Sequence, residues 1–253
     1  MSYEKWRHQV AERTPAPVRN WVAAARLARL RQRNASRSAQ EVFSEVYAAR
    51  QWGLGDRFDS GTGSRGDAPM RYADFIRRLI EDSGARSAVD IGCGDFRVAS
   101  MFVDALERYE GVDVVPDLIS RNLQAHGRPG VNFSLLDAAN DDLPEADVCL
   151  IRQVLQHLSN AQITAILDRC RRYPLVVVTE HVPAPDRARE PNRDKPHGPD
   201  TRLDTGSWVD IELSPFGCAP VREVLRIPAP TPLYSPGEML RSQLWRPVQG
   251  GQW

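Results

Sequence analysis

The chain has 253 residues, 42% of them hydrophobic and 26% charged, and its 33 basic residues balance 33 acidic ones. That length suits one α/β domain with additions, and the balance excludes the strong positive field of a general nucleic-acid binder. The four cysteines, Cys93, Cys149, Cys170 and Cys218, have neither metal-ligand spacing nor the density of a disulfide scaffold. With no apolar signal segment at the start and no run of membrane-spanning length, the expectation is a cytoplasmic protein without a membrane span.

Residues 1–50 read as a helical extension ahead of a main domain over 51–253. Residues 18–33 carry Arg19, Arg26, Arg29, Arg31 and Arg33 with no acidic residue, and Trp21, Val22, Ala25 and Leu30 form an apolar stripe. The expected partner of that stripe is the main domain or a second copy in a homodimer; an anionic membrane or another partner is the alternative. A second helix over 36–49 buries Val42, Phe43, Val46 and Tyr47. Gly53 to Asp56 and then Ser60 to Gly66 make a glycine-rich loop suited to a lid or an anion-holding backbone nest. Asp67-Ala68-Pro69 opens a helix over 70–82.

The run 87–91 is a short buried strand, followed at once by Gly92-Cys93-Gly94 and a helix-like stretch over 98–103. Glycines between a strand and a helix let backbone N–H groups approach a ligand closely. Strands are expected at 111–115, 131–137, 146–152 and 175–179, with helices from 116 and over 161–172. Two closing strands follow at 221–227 and 239–245. Between strand five and these lies a long polar segment, 182–206, placed where it can cover a substrate.

Asp113 stands 21 residues beyond Gly92, where an acidic residue accepts both hydroxyl hydrogens of a ribose. Arg97 occupies the place of the third glycine of a dinucleotide fingerprint, which counts against NAD. Asp90-x-Gly92-x-Gly94 resembles the turn of class I S-adenosylmethionine-dependent methyltransferases, with Phe96 where that family often has another glycine. Gly-Cys-Gly-Asp followed by an aromatic resembles one of its subgroups, as does Arg152-x-Val154-Leu155-x-His157-Leu158 after strand four.

The resemblance, over residues 52–216, implies a Rossmann-like fold: a mostly parallel seven-stranded sheet with helices on both faces. It implies S-adenosylmethionine as cofactor, held by Asp90, Gly92, Cys93, Gly94 and Asp113. It also implies Asp137 and Ala138 at the adenine, Arg152 and Gln153 near the adenosine, and Ser64 and Tyr72 at the amino-acid end under a covering loop. His157 falls at the methyl-transfer centre or just behind it. Asn192-Arg193-Asp194 and the Gly198 to Arg202 run match a pattern of the subgroup, which nominates Arg202 as a substrate contact.

Methyl transfer from a sulfonium needs the acceptor brought into line, and a hydroxyl acceptor must also lose its proton. His157, His181 and Glu180 fall at the sheet edge as candidate bases, with His197 a further one. A divalent cation such as Mg could be held by Glu180, Asp194, Asp200 and Asp204, although no spacing identifies a site. The polar segment with Trp208 nearby suits a sugar, glycan or similar polar metabolite methylated on oxygen. N- or C-methylation of a small molecule, a non-catalytic cofactor-binding scaffold and an NAD-dependent oxidoreductase remain the alternatives.

Overall fold

A computed structural model describes residues 16–34, 36–52, 58–229 and 235–247. Five helices (α1, Ala16–Asn34; α2, Ala39–Ala48; α3, Asp67–Ser83; α4, Pro116–His126; α5, Asn160–Cys170) surround one sheet. Its strands are β1 (Ser87–Ile91), β2 (Arg108–Asp113), β3 (Val131–Leu135), β4 (Val148–Arg152), β5 (Leu175–Val182), β6 (Val221–Pro228) and β7 (Met239–Trp245).

The order is β3-β2-β1-β4-β5-β7-β6, with β7 antiparallel to both of its neighbours and the other pairings parallel. The chain reverses its direction of travel between β1 and β4, and ligands bind beyond the strand ends at such a switch point. Strands β1, β4 and β5 are buried along almost their whole length because helices cover both faces. Val89, Ile151 and Val178 face α2 and α5, while Ala88, Leu150 and Val177 face α3.

Local chemistry starts and stops these helices. Ser38 with Glu41, and Ser159 with Gln162, form reciprocal capping boxes on α2 and α5. Pro116 starts α4, and Gly84 ends α3 in the left-handed region at φ 68°. The helix expected over 98–103 is instead two separate 3₁₀ turns, Ala99–Met101 and Val103–Ala105. Phe102 bridges them and is buried under Tyr72, at 6.4 Å between ring centroids.

One expectation for the N-terminal part is corrected and another is narrowed. Ala39, Phe43, Val46 and Tyr47 of α2 lie in the same core as Val89 and Ile163, so a boundary at residue 50 cuts through the main domain. On α1, Trp21 (72% exposed) and Val22 (50%) of the expected stripe do not pack on the main domain, which leaves a second copy or another partner as what could cover them, while Leu30 of the stripe is partly buried. The inward line is Arg26, Leu30 and Asn34, spaced four apart. Arg26 pairs with Asp200, and the Asn34 amide donates to the His197 carbonyl at 2.6 Å. Polar anchors on the segment after β5 thus set the rotation of the helix. The Gly53 to Asp56 part of the glycine-rich loop lies outside the described residues. Among the described residues no helix is long and apolar enough to cross a membrane.

Candidate cofactor and acceptor site

The parallel strands deliver their carboxylates to one edge. Asp90 is buried near the end of β1 and accepts the Tyr109 hydroxyl at 2.7 Å; burial raises its pKa to about 7. The chain then turns through Gly92 (φ 68°) and Gly94 (φ 57°). A Cβ at Gly92 would lie 2.4 Å from a Val154 methyl, and one at Gly94 2.5 Å from the Ser60 hydroxyl. Both the backbone angle and the space therefore require glycine.

Asp113 ends β2, accepts the N–H of Gly94 at 3.3 Å and of Val115 at 3.1 Å, and is raised to about 6 by burial. Asp137 follows β3 and accepts the N–H of Ala139 at 3.0 Å. Asp90, Gly92, Cys93, Gly94, Asp113, Asp137 and Ala138 all line one cavity of about 900 Å³. Two carboxylates buried beside a glycine cradle fit a nucleoside that supplies hydroxyl donors to an otherwise costly charge.

A roof closes over this floor. The Ser60 hydroxyl joins the Tyr47 hydroxyl at 2.9 Å and accepts the Asp95 N–H at 2.7 Å. The Ser60 N–H returns a bond to the Asp95 carboxylate at 3.2 Å. Trp52 packs against Tyr47, Phe43 and His157 at 5.0–5.8 Å between ring centroids. Ser64 and Tyr72 line the cavity as expected of them; Ser64 donates to the Gly61 carbonyl at 2.7 Å, and the Arg152 guanidinium lies over the Tyr72 ring. Arg152 also donates to the Gly63 carbonyl at 2.6 Å. Sequence reasoning missed Trp52 and Ser60 as site residues, because their approach to the glycine turn is purely tertiary; Phe43 and Tyr47 were legible only as core.

The candidate bases fare differently. Glu180 is outside the cavity wall and its carboxyl accepts the N–H groups of Val154, Leu155 and Gln156 at 2.7–3.3 Å. It caps the 3₁₀ turn Leu155–His157 and is not placed to act as a base. His157 lines the cavity, but it stacks on Trp52, its Nε2 meets the Gln156 amide at 3.4 Å, and burial drives its pKa down to about 3. His181 also lines the cavity and is lowered to about 3 by burial and then by Arg152. Its Nδ1 meets the Gln153 amide nitrogen at 3.2 Å and its Nε2 is buried. His197 is outside the wall, against Phe43.

Arg202 and Trp208 do not reach the cavity either. Arg202 is buried and holds the carbonyls of Leu158 and Arg193 and the Asn160 side chain. Asn192 bonds the backbone of Asp210 and Ser214 at 2.8–3.0 Å, and Asp194 accepts the Asn160 N–H at 2.8 Å. These motif residues pin the 182–206 segment in place. The groups of that segment that do face the cavity are Asp186, Arg187, Arg189, Asp200, Asp204 and their neighbours, with Ser235 and Glu238 beside them. Among the described residues no three metal-ligating side chains converge. Glu180 and Asp194 are committed to backbone N–H groups and Asp200 to Arg26, so the four carboxylates named for a cation form no site.

Residues 88–173 match the family described as "Methyltransferase domain". No curated protein sequence matches the chain significantly. Among solved structures, 1,6-didemethyltoxoflavin-N1-methyltransferase of Burkholderia thailandensis, with its substrate and S-adenosylhomocysteine bound, superposes with a TM-score of 0.56 at 19% identity, over 83% of this chain and 87% of that one. N-methyltransferase NodS of Bradyrhizobium japonicum WM9 with S-adenosylhomocysteine gives 0.54 at 16% identity, over 83% and 100%. Magnesium protoporphyrin IX methyltransferase of Synechocystis PCC 6803 with bound SAM gives 0.51 at 14% identity, over 84% and 99%. At these identities the likeness is one of fold.

Proposed function

We propose that this chain, whose residues 88–173 match the methyltransferase-domain family, is a class I S-adenosylmethionine-dependent enzyme that methylates a hydroxyl of a sugar or similar small polar metabolite. The observation that carries the reading is the continuity of two unlike regions in one cavity. One is the carboxylate-edged glycine cradle; the other is a wall of Asp186, Arg187, Arg189, Asp204 and Glu238.

When bound, S-adenosylmethionine supplies an electrophilic methyl group on sulfur. Asp113 accepts the ribose hydroxyls, and Asp137 with the Ala138 N–H meets the adenine. Asp90, Ser64 and Tyr72 would hold its amino-acid end, together with Arg152, which was expected near the adenosine but lies over the Tyr72 ring. The roof excludes water and holds the acceptor in line, which supplies much of the acceleration in a displacement reaction. A wall dense in hydrogen-bonding groups favours a polyol over a lipophile. Asp186, Asp204 and Glu238 are the groups on that wall able to take a hydroxyl proton.

A second reading, transfer to an amine nitrogen, is favoured by the histidines. Burial holds both neutral and makes them weak bases, and one ring nitrogen of each is engaged by a neighbouring glutamine amide. An unprotonated amine needs no base to attack. Incubation with S-[methyl-³H]adenosylmethionine and parallel panels of sugars and small amines separates the two. Labelled ether products support the first reading and labelled amines the second. If calorimetry shows that the cofactor does not bind while a pyridine dinucleotide does, neither reading survives.

A further inference from the structure

Gln153 is the first residue beyond β4 and has a positive φ of 57°, a conformation that a glutamine adopts only when its surroundings impose it. Three consecutive residues of β5 do so. The Thr179 carbonyl accepts the Gln153 N–H at 2.7 Å. The Glu180 carboxyl gathers the next three N–H groups at 2.7–3.3 Å. The His181 ring takes the Gln153 amide nitrogen at 3.2 Å.

With the carboxamide nitrogen turned to His181, Nδ1 is the acceptor and the neutral ring takes the tautomer with its proton on Nε2. The other end of the carboxamide faces the roof, where a Cβ on Gly63 would come within 2.1 Å of Oε1. Val154, the next residue, touches the Gly92 turn. Gln153 therefore lines the cavity between the cofactor floor and the roof, with its carboxamide held between His181 and Gly63.

We propose that Gln153 is the side chain that orients the acceptor atom at the point of methyl transfer, and that His181 and Glu180 are positioning residues that hold its carboxamide and backbone. The proposal rests on the reading that the cavity seats S-adenosylmethionine. A carboxamide oxygen accepts a hydrogen bond from an attacking O–H or N–H and so fixes the direction of its lone pair, while leaving the proton where it is. This assigns the chain an orienting mode of catalysis at that atom, and it gives His181 a role that does not require it to be a base.

The test needs no knowledge of the natural acceptor. Two ligands are titrated by calorimetry: S-adenosylhomocysteine, and sinefungin, in which an aminomethine replaces the sulfonium and so places an amine where the methyl group sits. In the wild type the amine has Gln153 Oε1 as its partner. Gln153→Met should lower the preference for sinefungin over S-adenosylhomocysteine about tenfold, the loss of ~1.4 kcal/mol expected for one hydrogen bond to a charged group. Gln153→Glu, which keeps the length and adds charge, should raise that preference above the wild-type ratio. His181→Leu, which removes the clamp, should lower it by a smaller factor. The preference is a ratio taken within each variant, so a loss of affinity shared by both ligands cancels, and a circular dichroism spectrum like that of the wild type verifies the fold. If both ligands bind and the ratio is the same in wild type, Gln153→Met and Gln153→Glu, the proposal is overturned and the cofactor reading stands. If neither ligand binds the wild type, the cofactor reading falls and takes the proposal with it.

Discussion

Asp113 shows what a single side chain does here. Its carboxylate can accept two ribose hydroxyls only when ionised, and burial has moved its pKa up to about 6. Asp113→Ala should weaken S-adenosylhomocysteine binding by roughly 10–100-fold, the cost of losing hydrogen bonds to a charged group, with an unchanged circular dichroism spectrum. In the wild type, affinity should fall as pH drops from 8 through 6 to 5, because protonation removes an acceptor pair; calorimetry across that range checks it. Asp90 and Asp113 were legible in the sequence because strand ends and a fixed spacing from the glycine turn place them without reference to other parts of the chain. The candidate bases were not. Glu180 and His181 are neighbours on one strand, yet their roles depend on which atoms of residues 153–156 they meet, and that contact spans more than 20 residues.

At the scale of elements, the segment after β5 is the instructive one. Its position and polarity announced a cover for the acceptor, and Asp186, Arg187, Arg189 and Asp204 do face the cavity. Its most conspicuous motif residues instead tie it down. Arg202 is 2% exposed and Asn192 5%, and each satisfies several backbone groups. Composition separates polar from apolar, but it does not tell an anchoring guanidinium from a ligand-facing one; the available carbonyls decide. Arg202→Met keeps the volume and leaves the Leu158 and Arg193 carbonyls without their donor. Proteolytic cleavage between residues 183 and 201 should become at least tenfold faster in this variant. Cleavage at the wild-type rate would mean that the segment is held by something other than Arg202. The 3₁₀ turns in place of a helix after the glycine turn have a similar origin. The aromatic packing of Phe102 beneath Tyr72 overrode a local preference.

For the molecule as a whole, apolar runs alternating with helical segments located the strands and the resemblance implied a mostly parallel sheet of seven, whereas their order, with β7 antiparallel between β5 and β6, is legible only in the structure. Its electrostatics were not legible, because burial depends on the assembled fold. Asp90 at about 7 and Glu180 at about 8 retain protons that an unfolded chain, with ordinary carboxyl values near 4, has already released. His157 and His181, lowered to about 3, and Lys195, lowered to about 8, oppose the resulting slope, because their unfolded forms still hold protons there that the folded ones have released, but their part is the smaller one. The ligand-free protein should therefore lose stability as pH rises from 6.5 to 8, since the folded state binds more protons over that window. Urea midpoints at the two ends of the range test the sign, and a midpoint that increases with pH would show that these carboxyls are ionised at lower pH than the fold implies.

The Tyr47–Ser60–Asp95 clasp carries one more consequence. The stretch that matches the methyltransferase-domain family, residues 88–173, furnishes the glycine cradle and its carboxylates, whereas Tyr47, Trp52 and Ser60 of the canopy come from chain upstream of β1. Kinship and containment are thus encoded in different parts of the polypeptide. A fragment trimmed to its family likeness would retain the carboxylates and, on the function proposed above, leave a bound sulfonium open to bulk solvent.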